Sequence, residues 1–247
     1  MLGLPDGVRG CLFDLDGVLT QTAKVHAAAW KRMFDEFLRE RASARGEDFV
    51  PFDEVKDYED YVDGKPRYDG VASFLASRGI QLEQGSPHDP PDAQTIHGLG
   101  ERKNALVLQM IKDDGVEPYA GSVEYVHAVR AAKLRTAVVS SSSNAHAVLR
   151  AAGIEDLFEA VIDGVLAEQR HLHGKPAPDS YLAGAEALGV APSEAAVFED
   201  ALAGVQAGHA GHFGLVVGVD RLGQADALRA HGADVVVEDL SELLHAP

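Results

Sequence analysis

Four short groups in this chain of 247 residues are of types that do chemistry rather than packing. Asp14 and Asp16 end the apolar run Gly10-Cys11-Leu12-Phe13, and four hydroxyls, Ser140 to Ser143, end a second apolar run. Lys175 stands beside Pro176, and Glu199 and Asp200 close a third run. Positions i and i+2 of an extended segment face the same side, so Asp14 and Asp16 point together. Carboxylates that close repel, and each is costly to hold ionised without a cation or hydrogen bonds. With Glu199 and Asp200 they form a set of hard oxygen donors suited to Mg²⁺, which keeps several waters and accepts a phosphate oxygen. Turn or helix-capping duty is the plain alternative for each acid taken singly.

These groups can meet only if the fold brings distant segments to one edge. Residues 22–41 carry Val25, Ala29, Met33 and Phe37 at helical spacing with Trp30, Phe34 and Leu38 beside them, an amphipathic helix. From about 50 to 115 strand-like runs are missing. Helical segments near 71–77 and 103–111 flank a proline-rich loop at 85–92, since proline cannot continue a helix. After Pro118 helices and strands alternate. Strands are expected at 136–139, 160–162, 195–198, 215–219 and 235–237, with helices at 122–132, 145–152, 180–188, 203–210 and 225–231. Repeated units of this kind with continuous apolar strands predict an α/β fold, a doubly wound, Rossmann-like parallel sheet covered on both faces. Residues 1–20 and 116–247 form the expected core domain, and 21–115 an inserted helical domain. In such sheets ligands bind beyond the carboxyl ends of the strands, where all four groups fall.

Composition narrows the function. The charge sum of 22 basic and 39 acidic residues is −17, which disfavours general nucleic-acid binding. Cys11 is the single cysteine, so a disulfide within the chain and a cysteine-ligated zinc site are excluded. No run approaches the 18 or so apolar residues that span a bilayer, and the N-terminal segment lacks a signal-peptide core. The expectation is a cytoplasmic, monomeric protein without nucleic-acid or membrane partners. Neither a dinucleotide glycine motif nor a P-loop occurs. His171 with His173, and His209 with His212, lack the ligand spacing of a zinc site. The acidic run 53–63 reads as a solvated helical face.

Phe13-Asp-Leu-Asp-Gly-Val-Leu-Thr20, Ser140, Lys175-Pro-Ala-Pro178 and Glu199-Asp200 together resemble the four ordered motifs of the haloacid dehalogenase-like phosphotransferases. The resemblance spans the core in order, with an insertion after the first motif. It implies that Asp14 is a nucleophile forming an aspartyl phosphate and that Asp16 is the general acid and base. It implies Mg²⁺ held by Asp14, the backbone carbonyl of Asp16, Glu199 and Asp200. Lys175 would neutralise the transferring group, and Ser140, with Ser141, Ser142 and Asn144 in the same loop, would bind its oxygens. A solvated surface lysine is the alternative for Lys175.

Thr22, His26 and Trp30, at spacings of four, are similar to the β-phosphoglucomutase branch. There the histidine helps hold back the general base until a sugar is bound. Residues 62–67 resemble that branch's cap loop: Arg67 would bind the substrate's non-transferring phosphate, Gly64 would permit close backbone approach, and Lys65 and Lys103 would add contacts. A guanidinium fork suits bidentate phosphate binding. Gln21 and Asp63 depart from the branch's common residues. His26 as a half-buried helix histidine and Trp30 as core packing are the structural alternatives. The expected activity is conversion of β-glucose 1-phosphate to glucose 6-phosphate through the 1,6-bisphosphate, with a small sugar phosphate as the partner molecule. A Mg²⁺-dependent phosphatase acting on a sugar phosphate or phosphoglycolate, and a catalytically retired sugar-phosphate sensor, are the alternatives.

Overall fold

The first strand, β1 (Gly10–Phe13), is buried along its whole length because a parallel strand lies on each side of it. The computed structural model describes residues 2–245. The remaining strands are β2 (Arg135–Val139), β3 (Ala160–Ile162), β4 (Ala195–Glu199), β5 (Leu215–Val219) and β6 (Val235–Val237), in one sheet of order β3-β2-β1-β4-β5-β6. Every pairing is parallel. Val, Ala, Leu and Phe fill these strands, as a sheet covered on both faces requires. Leu12 joins Val139, Tyr181, Val197 and Leu188 in one apolar cluster. Phe13, pointing the other way, stacks on Phe198 at 4.5 Å and meets Tyr125 edge-on at 6.4 Å. Each fully buried large apolar side chain contributes about 1.5–3 kcal/mol, so this cluster is the main fixture of β1.

The chain divides into two compact units. The first comprises Met1–Gln21, Gly64–Pro66 and Val116–Pro247. Besides the sheet it holds α4 (Ala120–Ala131), α5 (Ala145–Ala151), α6 (Gly164–Gln169), α7 (Asp179–Leu188), α8 (Leu202–Ala210) and α9 (Ala225–Ala230). The strand order reverses at β1 and β4, the place where an open parallel sheet leaves a crevice at its carboxyl edge.

The second unit comprises Thr22–Asp63 and Arg67–Gly115 and is helical: α1 (Ala23–Arg45), α2 (Arg67–Ser77) and α3 (Ile96–Asp114). The apolar stripe of α1 is buried, with Ala29, Trp30, Met33, Phe34, Phe37 and Leu38 packed inward. Phe34 lies 4.1 Å from Phe74 and 5.3 Å from Phe52, centroid to centroid. Helix α3 starts earlier than the apolar pattern predicts because Thr95 caps it, its hydroxyl accepting from Gly98 N at 3.0 Å. Thr95 in turn donates to Asp89, so the proline-rich loop is a brace for that helix start. The acidic run 53–63 is a solvated face only in part: Asp53, Glu54 and Asp60 are exposed, but other residues of the run turn inward. Asp57, Tyr58 and Val62 are buried, and Asp57 is paired with Arg78 at 2.6 Å. Residues Tyr58–Val62 form a single wide helical turn that aims both apolar side chains inward. Among the described residues no helix is long and apolar enough to cross a membrane.

Candidate active site

In the first unit, Asp14 follows β1 directly and its backbone N–H donates to Phe198 O at 2.9 Å, continuing the ladder. That bond fixes the carboxylate at the sheet's carboxyl edge beside the end of β4. The next turn returns sharply, with Gly17 at φ +87. An L-residue rarely adopts that angle, and a Cβ there would overlap the Asp200 carboxylate. Gly17 is held from the far side by Arg221, whose Nε donates to Gly17 O at 2.8 Å while its guanidinium stacks 3.7 Å above the Tyr119 ring.

Lys175 is the centre of the cluster. Its side chain is 1% exposed, and Nζ lies 2.5 Å from Asp14 Oδ1 and 2.6 Å from Glu199 Oε1. It also reaches Val139 O at the end of β2, at 3.4 Å. The surface-lysine alternative is therefore excluded. Tyr181, on the first turn of α7, donates to Glu199 Oε1 at 3.2 Å, and its ring lies 5.0 Å from the ammonium. Glu199 Oε2 accepts from Ala201 N at 2.8 Å, so both oxygens of this wholly buried acid are in use. Burial raises the Asp14 carboxyl well above the ordinary carboxylate range; Lys175 pulls it back, while Glu199 and Asp16 push it further up. Burial alone would lower Lys175, but the Asp14 and Glu199 carboxylates outweigh it and hold the ammonium charged.

One ammonium among Asp14, Glu199 and the nearby Asp200 leaves the cluster anionic. Asp14, Glu199 and Asp200 each offer a carboxylate oxygen within 4.8 Å of the others. An all-oxygen, net-negative donor set is what a small divalent cation requires. Glu199 also serves Lys175, Tyr181 and Ala201, so it orients the lysine as well as contributing an oxygen to this set. Asp16 is half-buried and bridges to Thr20 through the backbone.

The hydroxyl loop after β2 is ordered by its own side chains. Ser140 is 3% exposed and accepts from Ser142 N at 3.1 Å, and Ser142 accepts from Asn144 N at 3.2 Å. Ser141 donates to Gly64 O at 2.8 Å, which ties Gly64–Pro66 to this unit. Lys65, between them, is half-buried.

The second unit gathers its own candidates. His26 Nδ1 lies 2.8 Å from Lys103 Nζ, and that ammonium sits 4.8 Å from the Trp30 ring. Thr22 and Lys103 are buried at 1% and 5% exposure, so Lys103 is no solvated helix lysine. Trp30 is 3% exposed and stacks on Phe34 at 5.3 Å, so it serves the core of this unit. Arg67 opens α2 and pairs with Glu101 at 2.8 Å. Tyr181, Glu101, Tyr68 and Arg221 escape a sequence reading. Tyr181 and Tyr68 look like helix core, and nothing near Glu101 or Arg221 in sequence marks its partner.

A sequence model described as haloacid dehalogenase-like hydrolase matches residues 8–212. The chain is 57% identical to a β-phosphoglucomutase from Mycobacterium bovis, over 99% of this chain and 94% of that protein. It is 30% identical to the β-phosphoglucomutase of Bacillus subtilis, over 96% of this chain and 92% of that one. A crystal structure of β-phosphoglucomutase from Clostridium difficile superposes with a TM-score of 0.74 at 25% identity, covering 96% of this chain and 93% of that chain.

Proposed function

The chain belongs to the haloacid dehalogenase-like hydrolase family, and from that premise we propose that it is a β-phosphoglucomutase, interconverting β-glucose 1-phosphate and glucose 6-phosphate. The observation that carries the reading is the near-full-length likeness to the mycobacterial enzyme, which runs through both units. The buried Asp14–Lys175–Glu199 cluster supplies the chemistry such an enzyme needs.

Asp14 presents an oxygen that attacks phosphorus. The new O–P bond makes an aspartyl phosphate as the bond from phosphorus to the sugar oxygen breaks. Asp16 gives its proton to that departing oxygen and later takes one from the attacking sugar hydroxyl. The phosphoenzyme passes its group to the 6-hydroxyl of β-glucose 1-phosphate, and the bisphosphate then returns the 1-phosphoryl group to Asp14, leaving glucose 6-phosphate. Lys175 stays charged throughout, so it offsets negative charge gathering on the phosphoryl oxygens, with Ser140 and the amides of its loop as donors. Arg67 takes the phosphate that is not being transferred, and Thr22, His26 and Lys103 belong to sugar recognition. Asp14, Asp200 and the Asp16 carbonyl, with Glu199 behind them, would hold Mg²⁺. When bound it supplies positive charge that lets an anionic nucleophile approach an anionic phosphate. The substrate class supports a cytoplasmic place.

The test follows glucose 6-phosphate formation from β-glucose 1-phosphate with Mg²⁺ and a trace of 1,6-bisphosphate, with free phosphate measured in parallel. Isomerisation with little phosphate release is expected. Phosphate release without isomerisation replaces the mutase with a sugar-phosphate or phosphoglycolate phosphatase using the same Asp14, Asp16 and Lys175.

A further inference from the structure

The second unit holds its arginine in a way that the proposed reaction does not by itself require. Arg67 Nη2 lies 2.8 Å from Glu101 Oε1 and 3.1 Å from the Tyr68 hydroxyl, which donates to the same Glu101 oxygen at 2.6 Å. The guanidinium carbon sits 5.0 Å from the centroid of the Tyr68 ring. Tyr68 itself is clamped. The His97 ring lies 4.0 Å away, tilted by 35°, and a Cβ on Gly100 would lie 2.6 Å from two ring carbons. The Arg67 and Glu101 side chains are only 19% and 26% exposed, so the pair is partly withdrawn from water. Among the described residues, Arg67 Nε is buried and has no hydrogen-bond partner. One nitrogen of the fork is therefore neutralised while another donor is unspent.

Carboxylate and phosphate compete for the same planar fork. A buried N–H without an acceptor is unfavourable, and a phosphate oxygen is an acceptor that would relieve it. We propose that Glu101 is the resident counter-anion of Arg67 and a specificity-determining residue, holding the guanidinium until a phosphate dianion displaces it. The inference rests on the reading of Arg67 as the arginine for the non-transferring phosphate. A dianion able to use two donors displaces a carboxylate held at one nitrogen, whereas a neutral sugar does not. Glu101 thus disfavours unphosphorylated sugars by leaving them an already neutralised arginine, a repulsive element built into recognition. Product release returns Arg67 to Glu101, so no bare buried cation is left behind.

The test compares the parent enzyme with Glu101→Gln, Arg67→Ala and the double variant. Two readouts are used: KM against kcat in the isomerisation, and binding of sulfate measured by thermal shift, which needs no turnover. Glutamine keeps an oxygen for Nη2 and for the Tyr68 hydroxyl but removes the charge. Glu101→Gln is expected to lower KM and tighten sulfate binding about 1.4- to fivefold, the span measured for exposed ion pairs, with kcat not increased. In the Arg67→Ala background the same change is expected to have no effect, the signature of action through the arginine. If Glu101→Gln does not fold, Tyr68→Phe, which removes the competing donor and leaves Glu101 a stronger hold on Arg67, is expected to move both constants the opposite way. An unchanged or raised KM in Glu101→Gln, with Arg67→Ala still weakening sulfate, overturns the proposal and leaves the reading of Arg67 intact. No effect of Arg67→Ala on either constant removes that reading instead.

Discussion

Replacing Lys175 with methionine keeps the length of the side chain and deletes its charge. In the parent, that ammonium is the partner of both Asp14 and Glu199, at 2.5 and 2.6 Å, and all three are buried. Removing one member of a buried ion pair typically costs about 3–5 kcal/mol, because the remaining charge is left uncompensated. At roughly 2–4 °C per kcal/mol for a chain of this size, the melting midpoint should fall by roughly 6–20 °C. The pH dependence identifies the cause. Asp14 has a folded-state pKa well above its unfolded value, so its ionisation opposes folding. That penalty is absent below the unfolded value, grows as pH rises, and is complete above the folded value. Without Lys175 to pull it down, the folded value rises further, and the penalty grows through neutral pH. Circular-dichroism melts in metal-free buffer with chelator, at pH 5 and pH 8, read the difference. The variant should lose more at pH 8 than at pH 5, relative to the parent. A loss that is equal at both, or smaller than about 2 °C, would refute charge compensation as the task of Lys175.

Asp14→Asn should abolish phosphoenzyme formation and isomerisation. Its midpoint should stay within about 4 °C of the parent, or rise, because Lys175 keeps Glu199 as its partner while a buried acid whose charge is disfavoured becomes a neutral isostere. Labelling with a phosphosugar donor and melting curves check the two halves. Mg²⁺ at about one hundred times its dissociation constant should stabilise the parent by about 2.7 kcal/mol, seen as a rise in midpoint that chelator reverses. Gly17→Ala should weaken that response about 10- to 100-fold in Mg²⁺ concentration, since its Cβ displaces the Asp200 carboxylate.

The strands were legible because each is a short apolar run bounded by turn residues. Those at Ala160–Ile162, Leu215–Val219 and Val235–Val237 have the bounds the pattern predicts. Helix α6 was not, since it buries no residue that would mark an apolar face. The turn Tyr58–Val62 was hidden by the acids around it, because burial there depends on Phe74 and Arg78 from another segment. Asp14, Lys175 and Glu199 were legible as motif residues, and the distances between them follow from the strand order. Tyr181 and Glu101 were not, because a side chain's role as a partner is fixed by tertiary geometry. His26 and Lys103 stand 77 positions apart, and nothing local to either announces the other.

The central place of β1 sets an order of events on the ribosome. Its ladder partners are Arg135 to Val138 on one side and Ala195 to Phe198 on the other. At about 5–20 residues per second, the first of them is translated roughly 6–25 s after β1, and the second several seconds later. The segment that becomes the second unit is synthesised entirely within that interval. The nascent chain must therefore carry an unpaired, apolar Gly10–Phe13 past a nearly complete helical unit, which makes that tetrapeptide the natural target for a chaperone or for aggregation during synthesis.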